Sequence, residues 1–219
     1  MAFQIPAHAS RLSTPIATQT LLGSVLGIVA LGMAITGLIA YLLPNTSYGV
    51  GLIAMLVGFG VLFAINATRA NDTLSLLLFY LFAALEGLGL APVIHNYATA
   101  IGPDVVVDAA LTTALGMAVL AGVVYVTGLD LRRFAGWLYA ALIGLVLVGL
   151  VSMFVHFVSP TVYSWVTLAI FAGLTLVDFA RIRAGGDGFT PVQIAVHIYL
   201  DAINIFLALL QIFGGRRRD

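Results

Sequence analysis

Hydrophobic residues fall in seven long runs along this chain, at about 20–43, 49–66, 74–97, 104–127, 136–156, 161–182 and 190–213. Each is close to the ~20 residues an α-helix needs to cross the hydrocarbon core of a bilayer. None shows the strict alternation of apolar and polar positions that marks the strands of an outer-membrane barrel. The breaks between them are short and made of turn-forming residues: Pro44-Asn45-Thr46-Ser47, Asn71-Asp72, Gly102-Pro103, Ser159-Pro160 and Gly185-Gly186-Asp187-Gly188. The pattern predicts an all-α integral membrane protein with seven transmembrane helices. It divides the chain into a polar tail over 1–19, one seven-helix domain over 20–214 and a short Arg-rich tail over 215–219.

Composition agrees. Of 219 residues, 62% are hydrophobic and 8% charged, against about 25% charged in a soluble domain. All nine basic residues are Arg, and there is no Lys and no Cys. Disulfides and thiolate chemistry are therefore excluded. The arginines are spread over loops without a basic stripe, so nucleic acid is not an expected partner. The first apolar run is too long for a signal-peptide core and lacks a clear small-residue cleavage site, so it reads as a retained span.

The arginines also set an orientation. Arg69, the pair Arg132 and Arg133, and the pair Arg181 and Arg183 occupy the second, fourth and sixth breaks, while the odd-numbered breaks have no Arg. With Arg11 on the same side, the positive-inside rule puts the N-terminus in the cytoplasm. Arg216, Arg217 and Arg218 then lie outside if the seventh run spans, and inside if it is re-entrant. A re-entrant run needs its irregular backbone buried in protein, and a spanning helix is the expectation here.

The chemistry is concentrated in the last two runs. Asp178 and Asp201 each lie within a membrane-length apolar segment. A carboxylate at membrane depth costs roughly 2.5–3.5 kcal/mol on insertion scales. Neutralising it at pH 7 costs about 4 kcal/mol, from a reference pKa of about 3.9 and about 1.36 kcal/mol per unit. The two costs are similar, so protonation is poised, and two such groups side by side would share a proton. Gln193, His197, Asp201 and Asn204 recur at i, i+4, i+8 and i+11, on one helical face. That stripe must face protein or water, which predicts a central seventh helix. Its plainer reading is interhelical hydrogen bonding worth about 0.6–2 kcal/mol each. For Asp178 the plainer reading is an i,i+3 pair with Arg181.

Glu86 is a third deep carboxylate, set among glycines ahead of Pro92; it either lines a pathway or bonds to a neighbouring helix. Asp104 and Asp108 open the fourth helix, where they complement the macrodipole or form an acidic mouth that gathers cations. His95 and His156 fall near helix ends and read as interfacial hydrogen-bonders. No HExxH, phosphate loop or dinucleotide fingerprint occurs, and no nucleophile–base set can be assembled. An enzyme is not expected, and no cofactor is implied.

Ala195-Val196-His197-Ile198-Tyr199-Leu200-Asp201-Ala202-Ile203-Asn204-Ile205-Phe206 resembles the LYLDxxNxF signature of the Bax inhibitor-1 (transmembrane BAX inhibitor motif) family. Thr127-Gly128-Leu129-Asp130-Leu131 resembles the family's TxxDL loop, and Ile170-Phe171-Ala172-Gly173 to Asp178 its sixth-helix segment. Glu86-Gly87-Leu88 and Ala91-Pro92 match the third-helix motif of bacterial members. The likeness covers about residues 20–214. It implies six helices wrapped around a central seventh, in a bacterial inner membrane. YetJ-type members imply a calcium leak gated by a pH-sensing aspartate pair, which maps onto Asp178 and Asp201, with a modulating arginine that maps onto Arg69. Val177 departs from the family's Tyr before the sixth-helix aspartate, and the second helix has no acidic residue.

The resulting expectation is a passive, pH-sensitive Ca²⁺ leak with Asp178 and Asp201 as latch and weak metal ligands. Arg69 would bias the latch, and Glu86, His197, Asn204, Asp104 and Asp108 would line the pathway. Two alternatives use the same sequence. A YccA-type regulator would bind a membrane protease through its polar tail, and a proton-coupled cation antiporter would use the same acids. The absence of obvious inverted repeats weighs against the antiporter.

Overall fold

A computed structural model describes residues 15–155 and 158–216. Arg11, His156, Arg217, Arg218 and most of the 1–19 tail lie outside the described residues. Within them the chain forms α1 (Pro15–Leu42), α2 (Tyr48–Ala67), α3 (Asp72–Ala100) and α4 (Pro103–Thr127). A single 3₁₀ turn over Arg132–Phe134 follows, and then α5 (Ala135–Val155), α6 (Pro160–Arg183) and α7 (Pro191–Arg216). All seven helices are long and apolar enough to cross a membrane. α1 starts five residues before the first apolar run and so takes in the end of the polar tail.

The breaks act as caps. Ser47, Asn71 and Ser159 accept hydrogen bonds from the backbone N–H three residues on, at 3.3, 3.0 and 3.2 Å. Such caps satisfy donors that the first turn leaves orphaned. Pro103 and Pro160 open α4 and α6, where a missing N–H costs nothing. α4 stops at Gly128, whose φ of 73° is left-handed. Thr190 and Gln193 form a reciprocal box at the start of α7: Thr190 N–H donates to Gln193 Oε1 at 3.0 Å, and Gln193 N–H donates to Thr190 Oγ1 at 3.2 Å.

α7 is the central helix. Of its most apolar window 67% is buried, against 6% for α5. α1, α3, α4 and α6 pack directly on it, while α2 packs on α3 and α5 on α6, completing the ring from outside. α7 is one unbroken helix of 26 residues, about 39 Å long at ~1.5 Å per residue. That is spanning geometry, as expected, and not a re-entrant loop.

Close approach at the centre depends on glycine. A Cβ at Gly87 of α3 would lie 2.6 Å from the Thr36 carbonyl oxygen of α1. That proximity lets the Thr36 hydroxyl donate to the Ala83 carbonyl at 2.8 Å and meet the Tyr199 hydroxyl at 2.5 Å. One threonine thereby joins α1, α3 and α7. Phe79 and Phe82 pack edge-on against the buried Tyr199 ring, and Phe179 and aliphatic side chains fill the core around them.

Candidate functional site

Asp178 sits near the end of α6, and Asp201 near the middle of α7. The short Ala184–Thr190 connection makes the two helices antiparallel neighbours. Both carboxylates are buried, and both line one cavity of about 510 Å³. Glu86 of α3, His197 and Asn204 of α7, and Tyr139 of α5 line the same cavity. Of the pathway residues expected from the sequence, the cavity brings Glu86, His197 and Asn204 together with the two aspartates.

Each aspartate has its own partner, and no hydrogen bond joins the two carboxylates among the described residues. Arg181 Nη1 donates to Asp178 Oδ1 within a buried ion pair. The same nitrogen lies 3.2 Å from His197 Nδ1, which in turn is 3.6 Å from Asp178 Oδ1. An arginine nitrogen only donates, so Nδ1 is the accepting lone pair of a neutral imidazole. Phe189 closes the other side, with the guanidinium carbon 4.5 Å from its ring centre and the His197 ring edge-on at 5.7 Å. Arg181 Nε is buried with no hydrogen-bond partner among the described residues. Such an unmade bond costs about 1–3 kcal/mol.

Asp201 Oδ2 lies 3.1 Å from the Thr175 hydroxyl, which also lies 2.8 Å from the Phe171 carbonyl oxygen. With Met117 Sδ 3.7 Å away, one hydroxyl proton faces three acceptors. Asn204 turns its Nδ2 to the Leu200 carbonyl at 2.8 Å, leaving its oxygen for the cavity. At the far end Ser164 donates to Gln211 Oε1 at 2.5 Å.

The family model for inhibitors of apoptosis-promoting Bax1 matches residues 18–218. The chain belongs to the Bax inhibitor-1 family. The inner membrane protein YbhL of Escherichia coli K12 is 29% identical over 222 residues, covering 91% of this chain and 93% of its own length. A membrane protein of Streptococcus pyogenes serotype M3 is 27% identical over 231 residues, covering 94% and 97%. A Borreliella burgdorferi protein is 28% identical over 221 residues, covering 90% and 93%.

In this Bax inhibitor-1 chain the arginine at the aspartates is Arg181, not Arg69. Arg69 is exposed in the turn after α2 and has no ion pair among the described residues. Arg181, one turn after Asp178 on the same helix, already fills the place beside that carboxylate. Asp104 and Asp108 are exposed at the start of α4 and do not line the acidic cavity. Asp108 instead borders a separate surface pocket with Arg216. Gln193 leaves the expected polar stripe: beyond its capping role, its Nε2 donates to Asn66 Oδ1 of α2 at 3.1 Å. Nor do three or more His, Asp or Glu side chains converge as a metal site among the described residues, so Asp178 and Asp201 do not form a ready-made Ca²⁺ cage.

Sequence reasoning missed Thr175, Ser164 and Gln211. Gln211 sits eighteen positions after Gln193, five helical turns on, so extending the polar stripe would have found it.

Proposed function

We propose that this protein is a passive, pH-sensitive Ca²⁺ leak of the bacterial inner membrane, with the buried aspartates as its sensor. One observation carries the reading: Glu86, Asp178 and Asp201, three carboxylates from three helices, line a single cavity against the central helix. Carboxylate and amide oxygens are the donors that a hard cation such as Ca²⁺ prefers. A permeating ion needs binding weak enough to leave, and a chamber without a closed ligand cage meets that need.

Proton sensitivity follows from the partners. With His197 neutral, Arg181 is held between imidazole and Asp178. His197 Nδ1 lies 3.6 Å from Asp178 Oδ1, so the carboxylate has a second nitrogen within reach. A proton on Asp201 would end its claim on the Thr175 hydroxyl. The alternation of arginine-bearing and arginine-free breaks supports a cytoplasmic N-terminus. The salt bridge from Arg132 to Asp187, at 2.8 Å, joins the fourth and sixth breaks at that same end of the bundle.

The test is Ca²⁺ uptake into dye-loaded proteoliposomes across pH 5–8, with wild type beside the Asp178→Asn/Asp201→Asn double variant. Protein-dependent flux whose pH profile flattens in the variant is expected. Absence of flux at every pH would refute the leak and favour a regulator that acts through a protein partner.

A further inference from the structure

The acidic cavity opens sideways. α2 packs on α3 and α5 packs on α6, without substantial packing between α2 and α5. Phe59 of α2 and Val146 of α5 line the cavity and yet are 60% and 51% exposed. In a bilayer those exposed faces meet lipid, so the mouth is reached from within the membrane.

The walls are mostly apolar and carry several aromatic rings, among them Phe82, Tyr139 and Tyr163. The carboxyl groups facing them differ in how they are held. Asp178 has Arg181, and Asp201 has the Thr175 hydroxyl. Glu86, half-buried at the middle of α3, has no hydrogen bond or ion pair among the described residues. An acidic side chain at membrane depth is costly and as a rule is paired. Ca²⁺ is a poor standing occupant, because it wants six to eight oxygens and no such cage converges among the described residues. The partner that fits brings one diffuse positive charge and much apolar surface. Aromatic faces attract such cations, and about 510 Å³ falls within the 300–1,000 Å³ of small-molecule sites.

We propose that this cavity binds a lipophilic monovalent organic cation, a bulky quaternary ammonium or phosphonium. It enters between α2 and α5, sets its charge against Glu86 and packs its substituents on the aromatic walls. Binding of this kind does not depend on whether Ca²⁺ flows.

The experiment is equilibrium dialysis of the purified full chain in detergent with radiolabelled tetraphenylphosphonium, and with tetraphenylborate as an anion of the same shape. Saturable binding of one phosphonium per chain is expected, without saturable borate binding. Glu86→Gln should weaken phosphonium binding at least tenfold. Leu207→Trp fills the cavity and leaves every carboxylate in place, so it should do the same, and it decides the matter if the first variant fails to fold. Equal binding of both ions, or phosphonium binding unchanged in a folded variant, would overturn the proposal. Phosphonium binding without Ca²⁺ flux would sink the leak alone, and flux without binding would sink this proposal alone.

Discussion

Replacing Arg181 with Met tests the central electrostatic claim. The substitution keeps an unbranched side chain but removes the guanidinium from Asp178, whose side chain is only 3% exposed. Breaking a buried pair from one side costs about 3–5 kcal/mol, because the remaining charge is left without compensation. The orphaned carboxylate can escape by taking up a proton, which caps the loss. From a reference pKa of ~3.9, that uptake costs about 4 kcal/mol at pH 7 and about 1.5 kcal/mol at pH 5. A group that is neutral when folded and ionised when unfolded withdraws stability as pH rises. The Arg181→Met deficit should therefore grow from about 1.5 kcal/mol at pH 5 to about 4 kcal/mol at pH 7. Adding Asp178→Asn removes the charge and should recover most of the pH 7 loss. The assay is reversible unfolding in mixed micelles at both pH values, followed by the fluorescence of Trp137 and Trp165. A deficit equal at pH 5 and pH 7, or a double variant no better than the single one, would refute the reasoning.

Arg69→Ala should change stability by less than about 0.5 kcal/mol, as exposed substitutions do, and should leave the pH profile of flux intact; an altered profile would restore Arg69 as the modulator. Gly87→Ala should cost about 1–3 kcal/mol by overpacking against the Thr36 backbone. Gly27→Ala, where a Cβ meets nothing within 4 Å, should be neutral or stabilise by up to about 1 kcal/mol; comparing the two by thermal unfolding checks the contact. Asp130 lies outside the membrane segments, and hydrogen bonds from Arg132 hold its carboxyl down to about 2. Its contribution is present above the ordinary carboxylate range and lost as pH falls toward 2. Wild type and Asp130→Asn should thus differ in thermal stability at pH 7 and converge in acid.

The seven helices were legible because membrane depth imposes length and hydrophobicity at once, and the caps at Ser47, Asn71 and Ser159 mark the breaks. The central position of α7 was legible from its polar stripe, and the adjacency of α6 and α7 from the short loop between them. Asp178 and Asp201 stood out because a buried charge is expensive. Thr175 and Ser164 did not, because a hydroxyl that bonds back to its own helix costs little and leaves no mark on the pattern. The choice between Arg69 and Arg181 was open in the sequence: a family likeness favoured one and helical spacing the other. Only the fold shows that Arg181 occupies the space beside Asp178. The placement of α2 and α5 outside the inner ring was also invisible, since an apolar face reads alike whether it meets lipid or a helix.

The attachment of α5 has a mechanical consequence. At its start the chain is tied down, because Arg132 binds both Asp130 and Asp187. Beyond that, among the described residues α5 packs chiefly on α6, with the Tyr163 hydroxyl donating to the Leu145 carbonyl at 3.3 Å. At its other end the chain turns into α6 at Ser159-Pro160, so α5 is held to one neighbour at both ends. At ~1.5 Å per residue it is about 30 Å long, and its play is a bow outward between two fixed ends. Such a bow leaves the packing of α1, α3 and α7 around Thr36 and Tyr199 as it is.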